Sequence, residues 1–142
     1  MSLPRLPNDL SSFSLYAGDE PFENHAGPFM MYIDPDGGPH LSAFQSEKRH
    51  TNGLGVLHGG LLMAFADYAL FVIAHDLIVD TPCVTISCQT DFIRGAEAGG
   101  LIFAHGNVTR STRSLVFIRG LVCDSSHETL ASFSGIIKRV GR

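Results

Sequence analysis

From Gly59 to Ala74 the chain reads Gly-Gly-Leu-Leu-Met-Ala-Phe-Ala-Asp-Tyr-Ala-Leu-Phe-Val-Ile-Ala, and Asp67 is its only formal charge. An ionised carboxylate taken out of water without a partner costs several kcal/mol. A lone Asp in such a run therefore needs a partner or a task. The ordinary outcome is a cap or a place on a solvent-facing stripe. Leu61, Leu62, Met63, Phe65, Leu70, Phe71, Val72 and Ile73 cover every side of a 3.6-residue helix, so no polar stripe exists for Asp67 to join. The two glycines opening the run leave backbone N–H groups at a helix N-terminus, where aimed amides and the helix dipole favour developing negative charge. Without a Cβ, a reacting carbonyl can approach them closely. An isolated Gly-Gly pair more often serves a tight turn or close packing. Paired with Asp67, it reads as half of an acyl-transfer site.

Spacing adds a constraint. Gly60 and Asp67 share a helix face but lie about 10 Å apart along the axis, and His58 and Asp67 are separated by about 13 Å and point to opposite sides. One carbonyl cannot touch both elements of one helix. The two halves must then come from two helices, with Asp67 of one chain facing His58-Gly59-Gly60 of another. Asp67 would act as a base that activates water, or as a nucleophile forming an anhydride that water then cleaves. The residues leave both roles open. His58 is either a helix N-terminal side chain bonding a loop carbonyl or a residue that orients the ligand, and is not assigned as the base.

The rest of the composition narrows the class. At 142 residues the chain fits one domain with a real core. Net charge is −4, and the basic residues are scattered apart from Arg110, Arg113 and Arg119, so no nucleic-acid footprint is expected. Cys83, Cys88 and Cys123 form an odd set without disulfide-frame or zinc spacing, which fits a reducing, cytoplasmic compartment. His40, His50, His75, His105 and His127 show no metal spacing, so no metal is assigned. The run from Leu61 to Ala74 is shorter than the roughly 20 residues a bilayer requires and contains Asp67, so no membrane span is expected.

The elements that must position Asp67 and the glycines follow from pattern. Residues 1–28, which begin with a possible cloning remnant at Met1 to Leu3 and are rich in Pro, Gly, Ser and acidic residues, read as an N-terminal arm or lead-in; residues 29–142 form the domain. Phe29 to Ile33 and about His40 to Ser46 read as a hairpin around Asp34-Pro35-Asp36-Gly37-Gly38. Lys48 to Gly55 is a loop leading to a helix at about His58 to Asp76. Cys83 to Ile93, Leu101 to Thr109, Ser114 to Asp124 and Thr129 to Val140 then read as a β-meander. Arg139 and Arg142 are expected to decorate the end of its last strand. This is an α+β plan in which an antiparallel sheet must wrap one apolar helix. One curved sheet leaves a helix face and an edge exposed, so at least a dimer is expected.

With these residues in view, the chain resembles the hotdog-fold acyl-CoA thioesterases, in particular the phenylacetyl-CoA (PaaI) and 4-hydroxybenzoyl-CoA thioesterase group. The resemblance runs from about Phe29 to Val140. It is carried by Asn52-Gly53-Leu54-Gly55-Val56-Leu57-His58-Gly59-Gly60 with Asp67 seven residues after the second glycine. It implies a curved antiparallel sheet around one long central helix, a homodimer with a composite active site, and association into a tetramer as a dimer of dimers. It further implies an acyl-CoA substrate, with no cofactor beyond the coenzyme A of that substrate. By similarity, Asp67 is general base or nucleophile, the Gly59-Gly60 backbone polarises the thioester carbonyl, Asn52 and His58 arrange the acyl end or water, and Thr85 positions water. The turn Asn107 to Ser114 is similar to the segment that meets the coenzyme A nucleotide, which gives Arg110 and Arg113 to its phosphates. The family has Gly between the two basic residues of that turn, where this chain has Thr112.

Two other readings stay in view. A hydratase or dehydratase of the same fold would need a His with Glu or Asp over the α and β carbons, a pattern this chain matches less well. A non-catalytic acyl-CoA-binding module would bind without releasing thiol. Phe65, Tyr68, Phe71, Phe92 and Met63 are expected mainly in the core rather than in an acyl pocket.

Overall fold

The computed structural model describes residues 3–141; Met1, Ser2 and Arg142, and with them most of the possible cloning remnant and the placement of Arg142, lie outside the described residues. Six strands, β1 (Met30–Tyr32), β2 (Leu41–Gln45), β3 (Cys83–Phe92), β4 (Leu101–Ser111), β5 (Leu115–Asp124) and β6 (Thr129–Arg139), form one sheet in the order β1-β2-β4-β5-β6-β3. Every neighbouring pair is antiparallel. The β1–β2 hairpin is present and all four later strands form within a residue or two of their expected bounds, but only β4-β5-β6 is a meander: β3, expected as its first strand, crosses over to pair with β6 at the sheet edge, while β4 pairs with β2 instead.

The long helix, α2 (Gly59–Ile73), lies against one face of this sheet. Leu62, Phe65, Ala66, Tyr68, Ala69, Leu70 and Val72 are buried with Phe44, Ile102, Val116, Ile118, Val122 and Ile137 from the strands. The helix can approach because two strand positions facing it have no side chain. A Cβ on Gly135 would collide with Leu70, and one on Gly106 would lie 2.9 Å from Ile73 Cδ1. The helix ends earlier than the sequence suggested: a short α3 (His75–Ile78) follows the cap at Ala74. Asp76, the expected end of the helix, is instead paired with the buried His40 at 3.0 Å. The Asp34 N–H donates to His40 Nδ1, which leaves Nε2 as the donor to Asp76.

α2 is not covered all round within one chain. Met63 is 43% exposed, Gly60 is exposed, and Asp67 and Phe71 are half-buried, so one stripe of the helix stays partly open. The expected core residues divide accordingly. Phe65 and Tyr68 are buried, while Met63 and Phe92 stand largely exposed.

The lead-in segment is packed against the domain. Ser14 exchanges backbone hydrogen bonds with Met31 at 2.9 and 2.8 Å, Phe13 is buried beside Tyr32 and Phe103, and Tyr16 meets Tyr68 edge to face. A short helix, α1 (Pro21–Ala26), follows. Its end is held by Arg49, which donates to the His25 and Gly27 carbonyls, and by His50 Nε2, 2.8 Å from the Ala26 carbonyl. No element was expected there from the sequence, because its apolar residues are too sparse to show a period.

Candidate active site

The loop before α2 is built on an Asx turn. Asn52 Oδ1 accepts from the Leu54 and Val56 N–H groups at 2.9 and 3.3 Å, and Gly55 takes φ +82° to close the turn. The Asn52 side-chain oxygen is thus committed to its own loop. The chain then returns through Leu57, whose N–H donates to the Ala96 carbonyl, and His58, whose N–H donates to the His50 carbonyl. These bonds fix where α2 begins.

His58 is the N-cap. Its Nδ1 accepts from the Gly60 N–H at 2.8 Å, which satisfies one of the amide donors a helix leaves unpaired at its start. The two glycines therefore differ. Gly60 N–H is occupied, whereas among the described residues the Gly59 N–H has no acceptor. Close approach separates them as well. A Cβ on Gly60 would press on the His58 ring at 3.1 Å, and one on Gly59 would meet the Phe92 ring at 3.1 Å. Of the two residues expected to polarise a carbonyl, Gly59 is the one with a donor to spare.

Asp67 lies two turns further along α2 and is half-buried. Its Oδ1 accepts from Thr85 Oγ1 at 2.5 Å, a short hydrogen bond from β3 to the helix. Thr85 stands at a β-bulge: it pairs with Ile137, Ser87 pairs with Ile136, and Ile86 is the extra residue. Bulges re-aim side chains, and this one sits where a hydroxyl must reach a helix carboxylate. Asp67 and Thr85 are brought together by this bond. Along one helix axis, however, Gly59 and Asp67 remain about 12 Å apart.

Beyond Thr85, Asp67 has Glu23 and the Cys88 thiol within its electrostatic reach. Burial, followed by the charges of Glu20 and Asp67, pushes the Glu23 carboxyl from 4.5 up to about 7. Burial, then the charge of Asp67, raises the Cys88 thiol against a smaller opposing effect of a Thr90 hydrogen bond. Tyr68 Oη is buried without a hydrogen-bond partner among the described residues, and burial, with Glu23 next, holds its hydroxyl above the usual phenol range. A cavity of about 520 Å³ opens here between α1, the end of α2 and the start of β3, lined among others by Tyr16, Glu20, Glu23, Phe71, Pro82 and Cys83.

Arg110 and Arg113 are both exposed around the β4–β5 turn. Thr112 ties that turn, donating its N–H to the Leu115 carbonyl at 2.8 Å and accepting the Leu115 N–H on Oγ1 at 3.1 Å. Arg119 does not join them: it lies within β5, beside a groove on the sheet face away from α2.

A model of the thioesterase superfamily matches residues 54–131, more than half of the chain and all of the stretch from the glycine loop to β6. The chain belongs to the thioesterase superfamily. A Pseudomonas aeruginosa protein carrying a provisional esterase name is 30% identical over 95 residues, covering 66% of this chain and 70% of that protein. PaaI, the phenylacetic acid degradation protein of Thermus thermophilus, solved as a point mutant, superposes with a TM-score of 0.73 at 26% identity, over 85% of this chain and 100% of that one. PaaI of Escherichia coli, from the phenylacetic acid degradation operon, gives 0.73 at 24% identity over 83% of both chains. The fold is the hotdog fold, of the PaaI type, and the protein is a thioester hydrolase.

Sequence reasoning missed two residues of this thioesterase. Glu23 falls in the lead-in, outside the predicted domain, and no local pattern ties it to Asp67. Arg139 was expected to decorate the last strand. It is instead buried, donating to the Thr112 carbonyl at 2.7 Å, Ser111 Oγ at 3.1 Å and the Leu77 carbonyl at 3.2 Å. It pins the basic turn to α3. The signal for it was present in the strand's period of two, because Gly135, Ile137 and Arg139 share one buried parity while Ser134 and Lys138 are exposed.

Proposed function

We propose that the protein hydrolyses acyl-CoA thioesters at a site shared between two copies of the chain. The observation that carries this reading is the pair of unlike half-sites on one helix: Asp67 bonded to Thr85, and an unengaged Gly59 N–H at the capped start of α2. Asp67 would activate water or attack directly, with Thr85 orienting the carboxylate, while Gly59 of the other chain donates to the oxygen that becomes an oxyanion. His58 holds the helix start in place and Asn52 shapes the loop before it. No metal or redox group is required by these steps. A solved Streptococcus pneumoniae hypothetical thioesterase that shares the fold contains coenzyme A. Arg110 and Arg113, exposed on a turn held rigid by Thr112 and Arg139, suit the phosphates of such a nucleotide.

The second copy is proposed to join along β3, and pairs to join further as a dimer of dimers. β3 is a sheet edge, and on it and just beyond Val84, Ile86, Phe92 and Ile93 are about half exposed. Among the described residues, no helix is long and apolar enough to cross a membrane. A cytoplasmic setting rests on cysteine spacing alone.

Release of free thiol across aromatic, short and long acyl-CoAs tests the activity. Asp67→Asn should lower kcat by about 10²- to 10⁴-fold while leaving the fold and CoA binding intact. A variant near the wild-type rate would remove Asp67 from the mechanism. Saturable binding with no thiol release by the wild-type protein would turn the reading toward a binding module.

A further inference from the structure

Far from Asp67 in the fold, on the sheet face opposite α2, three side chains with metal-ligating atoms meet. His105 on β4, Cys123 near the end of β5 and His127 in the β5–β6 turn each present one ligand atom, and these atoms all lie within 4.8 Å of one another. Two of them meet through register. His105 pairs with Leu121, and Cys123 pairs with Phe103, so His105 and Cys123 are diagonal neighbours on one face. That face is distinct from the helix face: Cys123 and Phe103 pack with Phe13, Leu41 and Ala43, whereas Ile102, Ala104 and Val122 pack with α2.

The third arrives by a turn conformation that is uncommon for its residue type. His127 has φ +64°, the only described non-glycine residue with positive φ. The turn around it is tied down by Asp124, whose Oδ1 accepts from the Ser126 and Glu128 N–H groups at 2.9 and 3.0 Å. His105 and Cys123 are buried, at 9% and 2% exposure. His127 Nδ1 is buried without a hydrogen-bond partner among the described residues. An orphaned buried polar nitrogen is destabilising, so its position asks for something to fill it. Two imidazoles and a thiolate are a donor set that Zn²⁺ takes tetrahedrally, at about 2.0–2.1 Å to nitrogen and 2.3 Å to sulfur, so binding would draw these side chains closer than their present spacing.

We propose that His105, Cys123 and His127 bind one zinc-class divalent ion, with water in the fourth position, and that the ion clamps the β5–β6 turn to β4. On binding, the Cys123 thiol loses its proton to solvent and the sulfur becomes the ligand; no redox change is involved. The site serves the stability of the sheet and takes no part in thioester hydrolysis. Sequence spacing concealed it, because strand register rather than a short motif brings the three together.

The test uses the full chain, stripped of metal and titrated with Zn²⁺ by calorimetry and with Co²⁺ by absorption. Equimolar, saturable Zn²⁺ binding, a raised melting temperature and a thiolate-to-cobalt charge-transfer band are expected. His127→Asn, a residue that tolerates positive φ, and Cys123→Ser should each weaken Zn²⁺ binding by about a hundredfold or more, with thioester turnover unchanged. Should Cys123→Ser fail to fold, His127→Asn alone decides. Asp67→Asn should bind Zn²⁺ as wild type does. Absence of saturable binding, binding undiminished in His127→Asn, or loss of binding in Asp67→Asn would each overturn the assignment.

Discussion

The sheet has two edges, and they are finished differently. At β1 the chain protects itself: Ser14 bridges to Met31, and Phe13 and Tyr16 pack on either side. At β3 nothing among the described residues does the same, and Val84 and Ile86 stand 46% and 53% exposed. An unpaired apolar edge invites another strand, whereas a covered one refuses it. Thr85 lies on the open edge and carries Asp67 with it, so the half-site and the surface left for a partner coincide. On the proposed assembly, completion of the catalytic machinery and completion of the fold become one event.

The sharpest way to break this contrast is a charge on the open edge. Ile86→Lys should yield monomers by sedimentation, and turnover should fall by at least about a hundredfold because the two half-sites separate. A lysine variant that stays dimeric and active would show that β3 is not the joining edge. Next in size is Gly59→Ala, which places a methyl group 3.1 Å from the Phe92 ring and, on the proposed mechanism, would hinder approach of the substrate oxygen to the Gly59 N–H. A drop of up to about a hundredfold in kcat/KM is expected, the scale of an oxyanion donor made inaccessible, although alanine retains the N–H itself. Gly60→Ala should instead disturb the His58 cap, costing about 1 kcal/mol in denaturant titration and far less in rate. Equal kinetic effects of the two would remove the distinction between the glycines.

Much of this was legible before the structure. Strand-rich stretches between turn signals marked the strands and the apolar run marked α2, because each signal is local in sequence; the second chain inferred from the Asp67 spacing remains part of the proposal. What was hidden depends on contacts distant in sequence. The cap formed by His58 could be suspected, yet that it occupies Gly60 and frees Gly59 needs the ring's orientation. Glu23 reaches the neighbourhood of Asp67 only through the path of the lead-in, and the exposure of Phe92 follows from its place at the end of an edge strand.

Thr85→Val probes the link between open edge and carboxylate more gently. It keeps the shape and removes a hydrogen bond to a charged group, worth about 1.5–3 kcal/mol, so kcat should fall about tenfold or somewhat more. Dimer affinity should stay as in wild type. An unchanged rate would make Thr85 a spectator of Asp67.

The smallest effect belongs to the covered edge. Glu23 on α1 titrates at about 7 in the folded protein and near 4.5 when unfolded, since burial and the charges of Glu20 and Asp67 disfavour its ionised form. Between these values the folded chain holds a proton that the unfolded chain has released. Its contribution to stability is therefore complete below about 4.5 and is lost as pH rises through 7. Because roughly half of the group meets solvent, the expected loss is discounted to about 1 kcal/mol. Glu23→Gln, neutral at every pH, should flatten that part of the profile, so that its stability gains on wild type from about pH 5 to about 8. Parallel curves for the two proteins would mean that the lead-in covers its edge without placing a titrating group beside Asp67.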